Sequence, residues 1–135
     1  MRKLFFAALI AAATASGALA QEVASNKSAN SDSQIPNMGR APREQDGVGR
    51  LDLRVVDEAG NPVNDAYAFL ESRRSNGIEC ASWNWTDARG VSVLPPIHMG
   101  KLKLVLKAKG YQTVKLNIDA SSLDQPVRVT MVRKK

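Results

Sequence analysis

The sequence predicts an all-β domain, a seven-stranded antiparallel sandwich of two sheets. From residue 50 onward apolar residues recur at period two, as strands with one buried face require. Turn-forming clusters interrupt that alternation at about the 8 to 12 residue spacing of sandwiches. No segment carries a convincing helical period. A single sheet would leave its apolar face wet, so two sheets packed face to face are the economical arrangement.

In the first strand Leu51, Leu53 and Val55 alternate with Asp52 and Arg54. Glu58-Ala59-Gly60-Asn61-Pro62 turns the chain, with Gly60 free to take positive φ and Pro62 pre-set for extended chain. The second strand places Ala66, Ala68 and Leu70 on one face and Tyr67 and Phe69 on the other. After the polar turn at 73–77, residues 78–85 form the third strand, whose register is the least determined. Thr86-Asp87-Ala88-Arg89-Gly90 is a further turn, and residues 91–94 a short strand stopped by Pro95-Pro96. The clearest alternation follows: Leu102, Leu104 and Leu106 interleave with Lys101, Lys103 and Lys107, with Val105 the exception. Val114, Leu116 and Ile118 repeat the inward pattern, and Val127, Val129 and Met131 close the core.

The first twenty residues read as a bacterial secretory signal. Arg2 and Lys3 give a positive start, residues 4–13 an apolar stretch, and Ala18-Leu19-Ala20 a small-residue cleavage site. The stretch is too short and too alanine-rich for a membrane span, which needs about 20 apolar residues. The expected product is periplasmic or secreted. Losing Arg2 and Lys3 lowers the formal net charge from +6 to +4, a mildly basic balance that favours solubility over a nucleic-acid or membrane footprint. Residues 21–49 are rich in Ser, Asn and Gln and poor in apolar side chains, so they read as a disordered linker. Ile35-Pro36-Asn37-Met38 is the linker's one apolar point and reads as part of it rather than as a docking motif. The domain is expected to span residues 50–135.

Three stretches in order carry a family resemblance: Leu53-x-Val55-x-Asp57-x-x-Gly60-x-Pro62-Val63-x-x-Ala66, Thr86-Asp87-x-x-Gly90, and Leu104-x-Leu106-x-Ala108-x-Gly110-Tyr111. Residues 50–132 resemble the carboxypeptidase regulatory-like domain, a transthyretin-like (prealbumin-like) β-sandwich. The resemblance implies that fold and a non-catalytic module of an exported or cell-surface protein. It implies no ligand. The related transthyretin-like hydrolases use more than one histidine and end in Tyr-Arg-Gly-Ser, whereas this chain ends Val132-Arg133-Lys134-Lys135.

The residue inventory argues against catalysis. His98 is the single histidine, which removes a Ser-His-Asp arrangement within one chain. One His and one Cys would need two further carboxylates to hold zinc. There is neither a phosphate-binding glycine loop ahead of a helix nor an acidic calcium loop. No catalytic residue, cofactor or metal is expected. Asp57, Glu58 and Asp87 read as turn caps.

Three features point to partners. Trp83 and Trp85 lie two apart and so face one way. Buried, they would anchor the core; exposed, they would stack on sugars or grip a partner, and packing at the core or its rim is expected. Tyr67 and Phe69 face outward, either as an apolar patch or under cover of the 73–85 segment, with cover expected. Lys101, Lys103, Lys107, Lys109 and Lys115 form a comb that blocks edge pairing or, alternatively, contacts an acidic envelope polymer. Nucleic acid is not expected, since these strands lack aromatic residues beside the charge. Cys80 cannot form an intramolecular disulfide; if exposed it would support a homodimer, and the aromatic patch is a second route to one. The expected function is a non-enzymatic exported binding or structural module of the cell envelope, engaging protein or glycan through a sandwich face or edge. The alternative is an accessory subunit of an exported hydrolase or transport complex.

Overall fold

Each predicted segment of alternation is a strand. The computed structural model describes residues 35–135, and the expected signal sequence and the first part of the expected linker lie outside them. In chain order the strands are β1 (Val48–Gly49), β2 (Asp52–Asp57), β3 (Tyr67–Arg73), β4 (Glu79–Trp85), β5 (Val91–Val93), β6 (Ile97–His98), β7 (Lys101–Lys107), β8 (Val114–Ile118) and β9 (Val127–Met131). A single 3-10 turn at Ala120–Ser122 is the only helical element among the described residues. None of them forms a helix long and apolar enough to cross a membrane.

The strands form a four-stranded sheet ordered β4-β3-β7-β8, a three-stranded sheet ordered β5-β2-β9, and a two-stranded β1-β6 pair. The β-sandwich core comes from one face of each larger sheet. Leu53, Val55, Val129 and Met131 meet Ala68, Leu70, Leu104 and Leu106, with Met99 and Leu123 also in the cluster. Two expectations are corrected. β1 and β6 add to the seven predicted strands. The sandwich is not wholly antiparallel, because β2 runs parallel to β9, with Leu53 opposite Val127 and Asp57 opposite Met131. Alternation fixes which face is buried but is blind to strand direction, so a first-to-last pairing leaves no mark in it.

The domain boundary also moves. Pro36–Lys135 is one compact unit, so residues 36–49 belong to the fold rather than to a linker. Met38 N–H donates to Asp52 Oδ2 at 2.8 Å, the Arg54 guanidinium donates to Pro36 C=O at 3.2 Å, and Ala41 N–H donates to Asp124 at 2.9 Å. This segment lies over the face of β2 that alternation assigns to water. Asp52 and Arg54 are consequently buried, at 0% and 3% exposure, and joined by two hydrogen bonds of 2.9 and 2.8 Å. Gly39 permits the close approach: a Cβ there would lie 2.4 Å from the Leu123 carbonyl oxygen.

Two turns share one chemistry. In Asp57-Glu58-Ala59-Gly60 and Asp87-Ala88-Arg89-Gly90 the aspartate C=O accepts from the glycine N–H. One carboxylate oxygen also accepts the backbone N–H groups two and four residues on. Both glycines sit at positive φ, +83° and +72°. Two of the three ordered stretches, residues 53–66 and 86–90, interlock here. Thr86 Oγ1 accepts from Ala66 N–H and donates to Val63 C=O, and Val55 N–H donates to Gly90 C=O.

These turns give the domain an acid limit. The Asn61 backbone N–H, foremost among several bonds, holds Asp57 below the usual carboxylate range. The Ser121 backbone N–H does so for Asp119, and the Ser75 hydroxyl for Asp46. At Asp87 burial pushes upward, but bonds from Arg89 and Val91 together outweigh it and the net displacement is downward. A carboxyl more acidic folded than unfolded binds its proton first in the unfolded chain. Its contribution is therefore full above the unfolded pKa of about 3.9 and is lost as pH falls through the lower folded value. The thermal midpoint is expected to fall steadily below about pH 4. Asp57→Asn with Asp87→Asn, which keeps an accepting oxygen in each turn, should shallow that fall in a calorimetric pH series. An unchanged acid limb would remove these two turns as its cause.

Candidate functional site

The outer face of the β4-β3-β7-β8 sheet brings together the two surface features that the sequence presents separately. Pairing of β3 with β4 places Tyr67 opposite Trp85 and Phe69 opposite Trp83. Pairing of β3 with β7 places Tyr67 opposite Lys107, Phe69 opposite Val105 and Glu71 opposite Lys103. β8 continues two of these rows with Lys115 beside Val105 and Asn117 beside Lys103. Because side chains alternate strictly across a strand, all of these groups lie on one surface. The result is an aromatic stripe on β3 and β4 beside a cationic stripe on β7 and β8.

The tryptophans do not pack in the core. Trp83 and Trp85 are 58% and 57% exposed. The expected burial fails because β4 is the outer strand of its sheet and, among the described residues, nothing covers its outward side chains. For the same reason the 73–85 segment does not cover Tyr67 and Phe69: β4 lies beside β3, not over it. Tyr67 and Phe69 are half-buried instead among their neighbours' side chains. The Tyr67 ring centroid lies 4.9 Å from that of Trp85, tilted by 54°, and 6.4 Å from Phe69, stacked within 18°.

Along this face runs a shallow depression of about 580 Å³ lined by Tyr67, Phe69, Glu71, Val105 and Lys107 among others. A second, of about 420 Å³, shares Phe69, Glu71 and Lys103 with it and continues toward Glu79 and Lys101. Glu71 and Lys103 are both 53% exposed and their charged groups are 4.0 Å apart, a distance at which a solvated pair leaves both groups available to a ligand. The remaining comb lysine, Lys109, is exposed in the turn beyond β7 and belongs to neither row.

Other candidate groups are accounted for by folding. Cys80 faces inward with Ser82 and Asn84, opposite to the aromatic side of β4, and is half-buried. Ser82 donates to Pro95 C=O and Asn84 to Val93 C=O, tying the free edge of β4 to the neighbouring strand region. His98 is exposed, with its Nδ1 2.9 Å from Asp46 C=O. Asp57 and Asp87 cap their own turns, and Arg133 lies against both Asp57 and the Tyr111 ring, 5.1 Å from its centroid. Among the described residues no three of His, Cys, Asp and Glu are grouped so as to hold a metal ion.

The comparisons bear on fold alone. No protein-family model matches the sequence, and no curated protein matches it. Among solved structures the chain is similar to 3-chlorocatechol 1,2-dioxygenase from Rhodococcus opacus 1CP, with a TM-score of 0.51 at 13% sequence identity. The match covers 72% of this chain and 64% of that one, so less than two thirds of the dioxygenase is represented. At that identity the likeness is one of architecture, and the dioxygenase's chemistry does not transfer with it.

Proposed function

We propose that this chain is a non-enzymatic binding module, exported to the bacterial cell envelope, that engages its partner through the outer face of the β4-β3-β7-β8 sheet. The observation that carries the reading is the pair of tryptophans held in the open beside Tyr67 and Phe69. Large aromatic rings left in water forgo the burial that normally stabilises them, and they are the side chains most enriched at binding hot spots. The signal-like first twenty residues and the lone histidine support export without catalysis. We also take the domain as a transthyretin-like, carboxypeptidase regulatory-like module; the ordered motifs and their interlocking turns favour that reading.

The test compares the wild-type chain with the Trp83→Ala/Trp85→Ala variant. Both side chains are exposed, so the variant should fold. On a glycan array and in pull-downs from envelope extract, the wild type is expected to retain a ligand that the variant loses. An identical profile for the two proteins, or no ligand above background for either, would overturn the proposal.

A further inference from the structure

The composition of this face narrows the ligand class, and the inference rests on the binding-module reading above. The outer face carries four lysines and Arg73 against only Glu71 and Glu79. A second copy of this chain would therefore bring a cationic face against a cationic face, and an anionic partner is the complement. The two depressions join through Phe69, Glu71 and Lys103. They form a shallow trough along β3 and β7, from the Tyr67–Lys107 row to the Arg73–Lys101 row. Six residue steps make it about 20 Å long. It suits an extended polymer better than a compact knob.

The two stripes differ in what they can hold. Tyr67 with Trp85 and Phe69 with Trp83 offer flat apolar surface to the C–H faces of pyranose rings. Lys107, Lys115 and Lys103 lie to one side, where charged ring substituents would project. Glu71 follows Phe69 along β3, opposite Lys103, and is shared by both depressions, with Asn117 in its row. Its half-exposed carboxylate accepts hydrogen bonds from the hydroxyls that sugar rings present and that a DNA phosphodiester backbone lacks. That placement favours a hydroxyl-rich anionic ligand over single-stranded nucleic acid.

We propose that the outer face of this sheet binds an acidic polysaccharide, with sugar faces stacked on the Tyr67–Trp85 and Phe69–Trp83 pairs and carboxylates held by Lys103, Lys107 and Lys115. The test titrates the full chain with polygalacturonate, a neutral β-glucan, poly-glutamate and oligo-dT, at low and high salt, by calorimetry. Polygalacturonate is expected to bind and the neutral glucan to bind at least about 10-fold more weakly. Lys107→Ala/Lys115→Ala should weaken polygalacturonate about 2- to 30-fold, the range for two exposed ion pairs, and flatten the salt dependence. Trp83→Ala/Trp85→Ala should weaken it by at least about 10-fold. Neutral glucan binding that needs the tryptophans but ignores the lysines would overturn the acidic ligand and leave the binding face standing. Preference for poly-glutamate or oligo-dT over polygalacturonate would overturn it likewise. Silence toward all four polymers overturns the acidic polysaccharide, and the binding face falls with it only if the tryptophan variant also matches wild type in envelope pull-downs.

Discussion

Replacing Arg54 by alanine is expected to destabilise the domain by about 3–5 kcal/mol, the range for removing one partner of a buried ion pair. The carboxylate left behind is Asp52, fully buried and stripped of the two bonds that satisfy it. The Met38 N–H, 2.8 Å from Asp52 Oδ2, cannot stabilise that charge alone. Domains of this size have a total stability of about 5–15 kcal/mol, so the variant should unfold at far lower denaturant or fail to fold. The double variant Asp52→Leu/Arg54→Leu separates charge from packing. Replacing a whole buried pair with apolar residues is often close to neutral, leaving mainly the cost of the unpaired Met38 N–H, about 1–3 kcal/mol. Urea unfolding of the three proteins decides it, and an Arg54→Ala variant within 1 kcal/mol of wild type, a margin far below the about 3–5 kcal/mol expected, would contradict the buried pair.

The second large effect concerns the domain boundary. A chain beginning at Pro36 should fold as stably as the chain without its first twenty residues, whereas one beginning at Arg50 should lose several kcal/mol or not fold. The shorter chain forfeits the bonds Arg40 exchanges with Arg50, at 2.9 and 2.8 Å, and the Met99 N–H bond to Gly47 C=O. It also loses the bonds from Asn37 and Ala41 to Asp124, and the cover over Asp52 and Arg54. At about 1 kcal/mol net for each hydrogen bond, the loss is comparable with the stability of the whole domain. Circular dichroism melts of the two chains measure it directly. Equal midpoints would restore residues 36–49 to the role of a tail.

The contrast between what was and was not legible in the sequence follows from what each interaction is made of. Leu102, Leu104 and Leu106 announce β7 because apolar burial leaves a period in the sequence. Residues 36–49 attach through backbone hydrogen bonds and the bare α-carbons of Gly39 and Gly49, neither of which raises hydrophobicity. A signal was nonetheless present: Asp52 and Arg54, opposite charges two apart on one strand face, are placed to satisfy each other under cover. For the binding face, the direction of each side chain was readable from parity. The assembly was not. Only the register of β3 between β4 and β7 sets Trp85, Tyr67 and Lys107 in one row, and it supplies the aromatic neighbours that the lysine strands lack by themselves. The outward exposure of Trp83 and Trp85 depends on β4 ending the sheet, a property of strand order rather than of β4's own residues.

The chain's two tryptophans are its natural reporters, since both lie on the proposed surface. Their fluorescence, followed during titration with polygalacturonate, tests most directly whether the outer sheet face is where the ligand binds. A saturable change in intensity or emission wavelength, parallel to the calorimetric isotherm and weakened by Lys107→Ala/Lys115→Ala, is the expected result. Saturable calorimetric binding with tryptophan emission unchanged would place the ligand elsewhere and contradict the assignment.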